Sequence, residues 1–163
     1  MDQITIDSIF RRFEESMPQK YVKKILDARI YDLALETPVE KAPLLSQRFN
    51  NNILLKREDL QPVFSFKVRG AYNKLRCLSD AQRSAGVIAA SAGNHAQGLA
   101  LAAKKMNVNA TIVMPVTTPE IKVDAVRSRG ANVVLIGDNY DAAATHANQL
   151  VQEKGLTYIH PFD

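Results

Sequence analysis

Short β-branched apolar runs alternate with longer mixed stretches along this chain. NILLK (52–56), VIAA (87–90), ATIVM (110–114), NVVLI (132–136) and TYIH (157–160) read as strands. The stretches 19–29, 66–78, 94–105, 119–129 and 139–154 read as helices. Near-continuous apolar strands separated by helices predict a parallel α/β sheet, because such a sheet is buried on both faces. The helix ends carry punctuation. Ser65 can N-cap the helix that holds Lys67, Thr118-Pro119 opens another helix, and Gly130 and Gly155 follow two more. Ligands of such sheets collect at the carboxyl ends of strands, where loops lead into helix N-termini. That rule nominates SAGNHAQG (91–98), directly after the strand 87–90, and the turn into the helix at Ser65.

Composition adds limits. A chain of 163 residues that is 46% hydrophobic can build a substantial core, and 23% charged residues do not suggest disorder. No apolar run approaches the roughly 20 residues a membrane span needs. The opening MDQITIDSIFRRFEES has no apolar h-region and carries Asp2, Asp7, Glu14 and Glu15, against a signal or transit peptide. The lone cysteine, Cys77, excludes an internal disulfide and fits a reducing, cytoplasmic setting; it is expected as a small buried residue on its helix. The net charge of +4 is concentrated in residues 56–83, where Lys56, Arg57, Lys67, Arg69, Lys74, Arg76 and Arg83 outnumber Glu58, Asp59 and Asp80. Nucleic acid would demand more charge with interleaved aromatics, so a small anionic ligand or a solvated face explains the excess better. His146 and His160 share no metal-binding spacing, and no metal is expected.

Two places carry candidate chemistry. In SAGNHAQG, Gly93 permits a tight turn or the close approach of a ligand, and the free N–H groups of the following helix favour an anion. Ser91 and Asn94 add side-chain donors, and His95 at least a backbone N–H. The plain alternative is an N-capped helix after a tight turn. Gly93 and Gly98 have P-loop spacing, but Leu99-Ala100 stand where Lys-Ser/Thr is required, and no Gly-x-Gly-x-x-Gly follows any strand. Lys67 is placed at a helix N-terminus between Phe66 and Val68. The positive end of the helix dipole and weak hydration both favour the free amine over the ammonium. A free amine is what imine formation with an aldehyde needs. The plain alternative is a surface lysine that snorkels. Arg69 is expected in an ion pair, and Gly70 as a small packing residue. Together these features suggest a Schiff-base lysine facing an anion-binding loop.

SFKVRGA (65–71) resembles the lysine motif of the fold-type II pyridoxal-phosphate enzymes, and SAGNHAQG (91–98) their substrate-carboxylate loop. The flanking LLKREDLQPVFSFKVRGAY (54–72), IVMPVTTPEIKVDAVRSRGANVVL (112–135) and HPFD (160–163) are similar to the threonine dehydratases (threonine ammonia-lyases), especially the biosynthetic branch. The resemblance implies a tryptophan synthase β-like α/β architecture with pyridoxal 5′-phosphate as cofactor. Residues 1–84 would belong to the larger, incomplete domain, 85–155 to the smaller closing domain, and 156–163 to the return into the larger one. It implies that Lys67 forms the Schiff base and is the catalytic base, that Phe66 packs by the cofactor ring, and that Asn94 bonds its 3′ oxygen. Ser91, Ala92, Gly93, Asn94 and His95 would cradle the carboxylate of L-threonine, with L-serine as a possible second substrate. Related serine racemases carry a second serine where this chain has Ala92, so elimination fits better than racemisation. The implied product is 2-oxobutyrate with ammonia, feeding isoleucine synthesis, in a homo-oligomer when full length.

The chain departs from the family in one respect: no GGGGL-like phosphate loop occurs in 1–163. It is expected to be an N-terminal portion with little activity alone. The alternatives are a serine or catabolic threonine dehydratase, and a non-catalytic fragment that binds a full-length partner.

Overall fold

The computed structural model describes residues 17–162; residues 1–16, including the opening stretch read above, and Asp163 of the HPFD segment lie outside the described residues. The chain begins with α1 (Met17–Asp27), a 3-10 turn (Ile30–Asp32), β1 (Val39–Lys41), α2 (Pro43–Arg48), β2 (Leu54–Lys56) and a second 3-10 turn (Glu58–Leu60). Then come α3 (Lys67–Cys77), α4 (Asp80–Ala85), β3 (Val87–Ala90), α5 (Asn94–Met106), β4 (Ala110–Met114), α6 (Glu120–Arg127), β5 (Asn132–Leu135), α7 (Tyr140–Lys154) and β6 (Thr157–Tyr158). No described helix is long and apolar enough to cross a membrane.

Four strands form one parallel sheet in the order β5-β4-β3-β6. Successive side chains of a strand point to opposite faces, and the chain uses both. Val87 and Ala89 of β3, with Ile112 and Met114 of β4, pack under Ala71, Tyr72 and Leu75 of α3, Leu99 and Ala103 of α5, and Val123 and Val126 of α6. Ile88, Ala90 and Val113 face the other way, onto Ala143, Ala147 and Leu150 of α7. Removing a side chain such as Leu75, Leu99 or Ile112 from water stabilises the fold by roughly 1.5–3 kcal/mol each. The chain runs outward from β3 through β4 to β5 over one face, then returns by α7 over the other to place β6 beside β3. The β3–β6 boundary is therefore the topological switch point, where a crevice opens at the carboxyl ends of strands.

The expected parallel α/β sheet and its five long helices are present, with boundaries shifted by a few residues. NILLK is a correction. Its strand, β2, lies outside the parallel sheet and pairs antiparallel with β1, with Glu40 opposite Leu55. Three residues long and exposed on both faces, it cannot take a central place in a buried sheet. Cys77 is also corrected: it is exposed, at the last turn of α3 on the side away from the core. Gly155 ends α7 in the left-handed conformation at φ +65°, as its position suggested. A capping box escaped the sequence reading: Ser79 Oγ accepts from the Gln82 N–H, and the Gln82 side chain accepts from the Ser79 N–H.

Candidate active site

The approach to Lys67 is held by polar contacts that the sequence pattern does not display. Gln61 is 1% exposed and clasps the Leu35 peptide, accepting from its N–H at 2.9 Å and donating to its carbonyl at 2.8 Å. The Phe64 N–H donates to the Gln61 carbonyl at 2.7 Å, and Phe64 takes the left-handed conformation at φ +55°. An aromatic residue rarely adopts that region, so the turn into α3 is strained. Ser65 is not the N-cap. Phe66 occupies that position without a side-chain cap, while buried Ser65 accepts from the Lys67 N–H at 3.2 Å. On the next turn Arg69 grips Glu58 with two bonds of 2.7 and 2.8 Å, and Thr37 donates to the same carboxylate at 2.6 Å. The Arg69 hydrogen bonds, with help from Thr37 and against partial burial, hold the Glu58 carboxyl down to about 2. Arg69 is thus the expected ion-pair residue.

Lys67 opens α3, and its Nζ donates to the Pro161 carbonyl at 2.7 Å. This Nζ lies 5.5 Å from the Phe66 ring centroid and 5.3 Å from that of Phe162. The helix start, the aromatic neighbours and a carbonyl partner define its surroundings.

After β3 the chain turns through the nominated loop. The Ser91 N–H donates to the Val113 carbonyl, and Ser91 Oγ accepts from the Gly93 N–H at 3.3 Å. Gly93 is the N-cap of α5, and no side chain caps the helix, so the first-turn N–H groups point beyond its end. The chain bends at Gly93 with φ −130°, outside the left-handed region, and nothing lies within 4 Å of where a Cβ would be. Asn94 is exposed, and Ser91, Ala92 and Gly93 are partly exposed. His95 is 6% exposed, with Nε2 3.0 Å from the Ile159 carbonyl oxygen. Burial holds its imidazole below the usual histidine range, with nearby Lys67 and His160 acting in the same direction.

A cleft of about 320 Å³ opens at the switch point, lined by Phe66, Lys67, Lys74, His95, Pro161 and Phe162 among others. It brings together Lys67, Phe66 and His95 of the predicted site. Ser91, Ala92, Gly93 and Asn94 do not line it and adjoin it along the chain through His95. The two nominated places meet directly at Gly98, where an added Cβ would lie 3.0 Å from the Lys67 carbonyl carbon. Gly70, expected as the packing glycine, has nothing within 4 Å. Residues 159–162 are the part of the site that residue-level reasoning missed. Their signal in the sequence is HPFD, which carries a family resemblance and no chemistry of its own.

The chain is 55% identical over 144 residues to threonine dehydratase 1 biosynthetic, chloroplastic, of Solanum lycopersicum, covering 88% of this chain and 24% of that protein. It is 56% identical over 146 residues to the L-threonine dehydratase biosynthetic IlvA of Burkholderia multivorans, covering 88% of this chain and 29% of that protein. The chain therefore spans about a quarter of the length of the curated relatives it matches. Its structure superimposes on the processed form of threonine deaminase isoform 2 from Solanum lycopersicum with a TM-score of 0.84 at 51% identity, covering 98% of this chain and 41% of that one. Maize serine racemase follows at a TM-score of 0.80 and 32% identity, over 86% and 43% of the two chains. These neighbours carry the fold-type II architecture expected from the motifs. The model of the family described as pyridoxal-phosphate dependent enzyme matches residues 30–163, so the lysine helix, the loop after β3 and the segment after β6 all fall within it, and the chain belongs to that family.

Proposed function

We propose that the protein eliminates water from L-threonine with pyridoxal 5′-phosphate, giving 2-oxobutyrate and ammonia for isoleucine synthesis. The observation that carries this reading is the Lys67 amine in one cleft with the start of α5, in a chain more than half identical to biosynthetic threonine dehydratases. The residues present fit one end of the cofactor. An amine between two aromatic rings suits an aldehyde on a planar ring, and uncapped helix N–H groups suit a carboxylate. For the phosphate end, residues 1–163 supply no glycine-rich loop.

Bound pyridoxal phosphate supplies an aldehyde for amine exchange and a ring that accepts the electron pair left at Cα. Lys67 would hold the cofactor through its amine and, as a free amine, would be the base that takes the Cα proton. Phe66 would flank the ring. Asn94 would donate toward the 3′ oxygen. Ser91, Ala92, Gly93, Asn94 and His95 would receive the carboxylate, through the uncapped first-turn N–H groups of α5 and the side chains of Ser91 and Asn94. Ala92 can hold no proton, which leaves Lys67 as the base and favours elimination over racemisation.

Residues 1–84 and 156–163 belong in this reading to a larger domain and 85–155 to a smaller one that closes on it and excludes water. The working protein is a cytoplasmic homo-oligomer; the lone Cys77 supports a reducing compartment. Borohydride reduction after addition of pyridoxal phosphate, followed by peptide mapping, should label Lys67, and a label elsewhere would overturn its role. Product analysis should give 2-oxobutyrate from threonine in preference to pyruvate from serine. The 163-residue chain alone should show little turnover, and efficient turnover by it would refute the need for a separate phosphate site.

A further inference from the structure

We infer that His95 is a positioning residue: its side chain pins the strand of backbone that receives the Lys67 amine, and so joins the carboxylate loop and the lysine into one unit. The inference rests on the reading of Lys67 as the amine that joins the cofactor.

β6 pairs with β3 over only two residues, Thr157 and Tyr158. The Ile159 N–H still donates to the Ile88 carbonyl at 2.8 Å, and there the contact with the sheet ends. The next acceptor along the chain is the Ile159 carbonyl, taken by His95 Nε2 at 3.0 Å. Two residues later the Pro161 carbonyl accepts from Lys67 Nζ. Proline has a fixed φ and no N–H, so the path from one anchored carbonyl to the next is short and stiff. The Phe162 N–H turns back onto His160 Nδ1 at 3.3 Å and offers no tie to the sheet. His95, together with the buried side chain of Ile159, thus fixes the segment where it leaves β3.

A carbonyl can only accept, so Nε2 carries the hydrogen and a neutral ring leaves Nδ1 bare. The ring is buried at the second residue of α5, within the loop that would hold the substrate carboxylate. Loop and lysine therefore share one strut. A buried histidine that merely fills space would need no particular tautomer, and an aromatic ring of similar size would replace it.

Two measurements on the full-length protein test this. In the ¹⁵N spectrum of histidine-labelled protein, His95 should be the neutral tautomer with hydrogen on Nε2; hydrogen on Nδ1 with Nε2 bare would overturn the inference. In the second, pyridoxal phosphate is added to apoprotein, trapped with borohydride at intervals, and the rate of Lys67 labelling is read by peptide mapping. His95→Gln can still donate from its ε nitrogen and should label within about threefold of wild type. His95→Phe keeps the ring without the donor and should label about tenfold more slowly, the factor one lost hydrogen bond allows. Equal rates for His95→Phe and wild type would overturn the inference, as would a His95→Gln as slow as His95→Phe. If His95→Phe does not fold, the tautomer decides alone. Wild-type protein that never labels Lys67 would instead refute the Schiff-base reading, and the tautomer result would stand apart from it.

Discussion

Gly98 lies on α5 where that helix presses against the first peptide of α3. A methyl group there would meet the Lys67 carbonyl carbon at 3.0 Å, the Lys67 oxygen at 3.1 Å and the Val68 nitrogen at 3.1 Å. All three are backbone atoms, so no side-chain end can swing away. Overpacking of this kind costs about 1–3 kcal/mol, and contacts to backbone belong near the upper end. Alanine in a helix interior returns about 1 kcal/mol relative to glycine. Gly98→Ala should therefore destabilise by about 1–2 kcal/mol, which lowers the unfolding midpoint by about 2–8 °C in a domain of this size. Gly70 provides the control. It also lies inside a helix, α3, but a methyl there meets nothing within 4 Å. Gly70→Ala should keep the propensity gain and stabilise by up to about 1 kcal/mol. Thermal unfolding of both variants against wild type is the assay. A Gly98→Ala as stable as Gly70→Ala would refute the claim that the two helices touch through the lysine peptide.

Glu58→Gln should flatten the acid limb of the stability profile. The Glu58 carboxyl is held down to about 2 from 4.5, so its contribution is complete above about pH 4.5 and is lost as pH falls toward 2; urea midpoints across that window should fall more steeply for wild type than for the variant. Phe64→Asn should stabilise by roughly 0.5–1 kcal/mol, because asparagine tolerates the left-handed conformation and the phenyl ring is 76% exposed; an unchanged or lower urea midpoint would remove the argument for strain before α3. Ser79→Ala should cost about 1 kcal/mol by removing half of the capping box of α4, readable from the same melts.

The sheet was legible because burial on both faces leaves its mark on each strand separately. VIAA and ATIVM are almost wholly apolar, and no neighbour is needed to recognise them. NILLK has the same local look, yet β2 is an exposed strand paired antiparallel with β1, and pairing partners are not written in a five-residue window. Lys67 was legible for a related reason. A lysine at a helix start between apolar residues is odd in its own neighbourhood. What it touches was not, because the Pro161 carbonyl is 94 residues away and belongs to a segment that reads as an ordinary strand end.

Gly98 and His95 mark the boundary between the two kinds of information. Both sit in SAGNHAQG, the loop whose sequence suggests anion binding. In the folded chain each faces outward from that loop: Gly98 toward the lysine peptide, and the His95 ring toward the Ile159 carbonyl. A motif of this density therefore carries two demands at once. The uncapped first-turn N–H groups of α5 and the exposed Asn94 lie at its open end, while its glycine and its histidine contact the lysine peptide and the strand end. Substitutions at Gly98 or His95 should then disturb Lys67 while keeping the first-turn backbone N–H groups of α5, whereas substitution of Asn94, exposed at the loop, should leave the Lys67 amine and its Pro161 contact as they are.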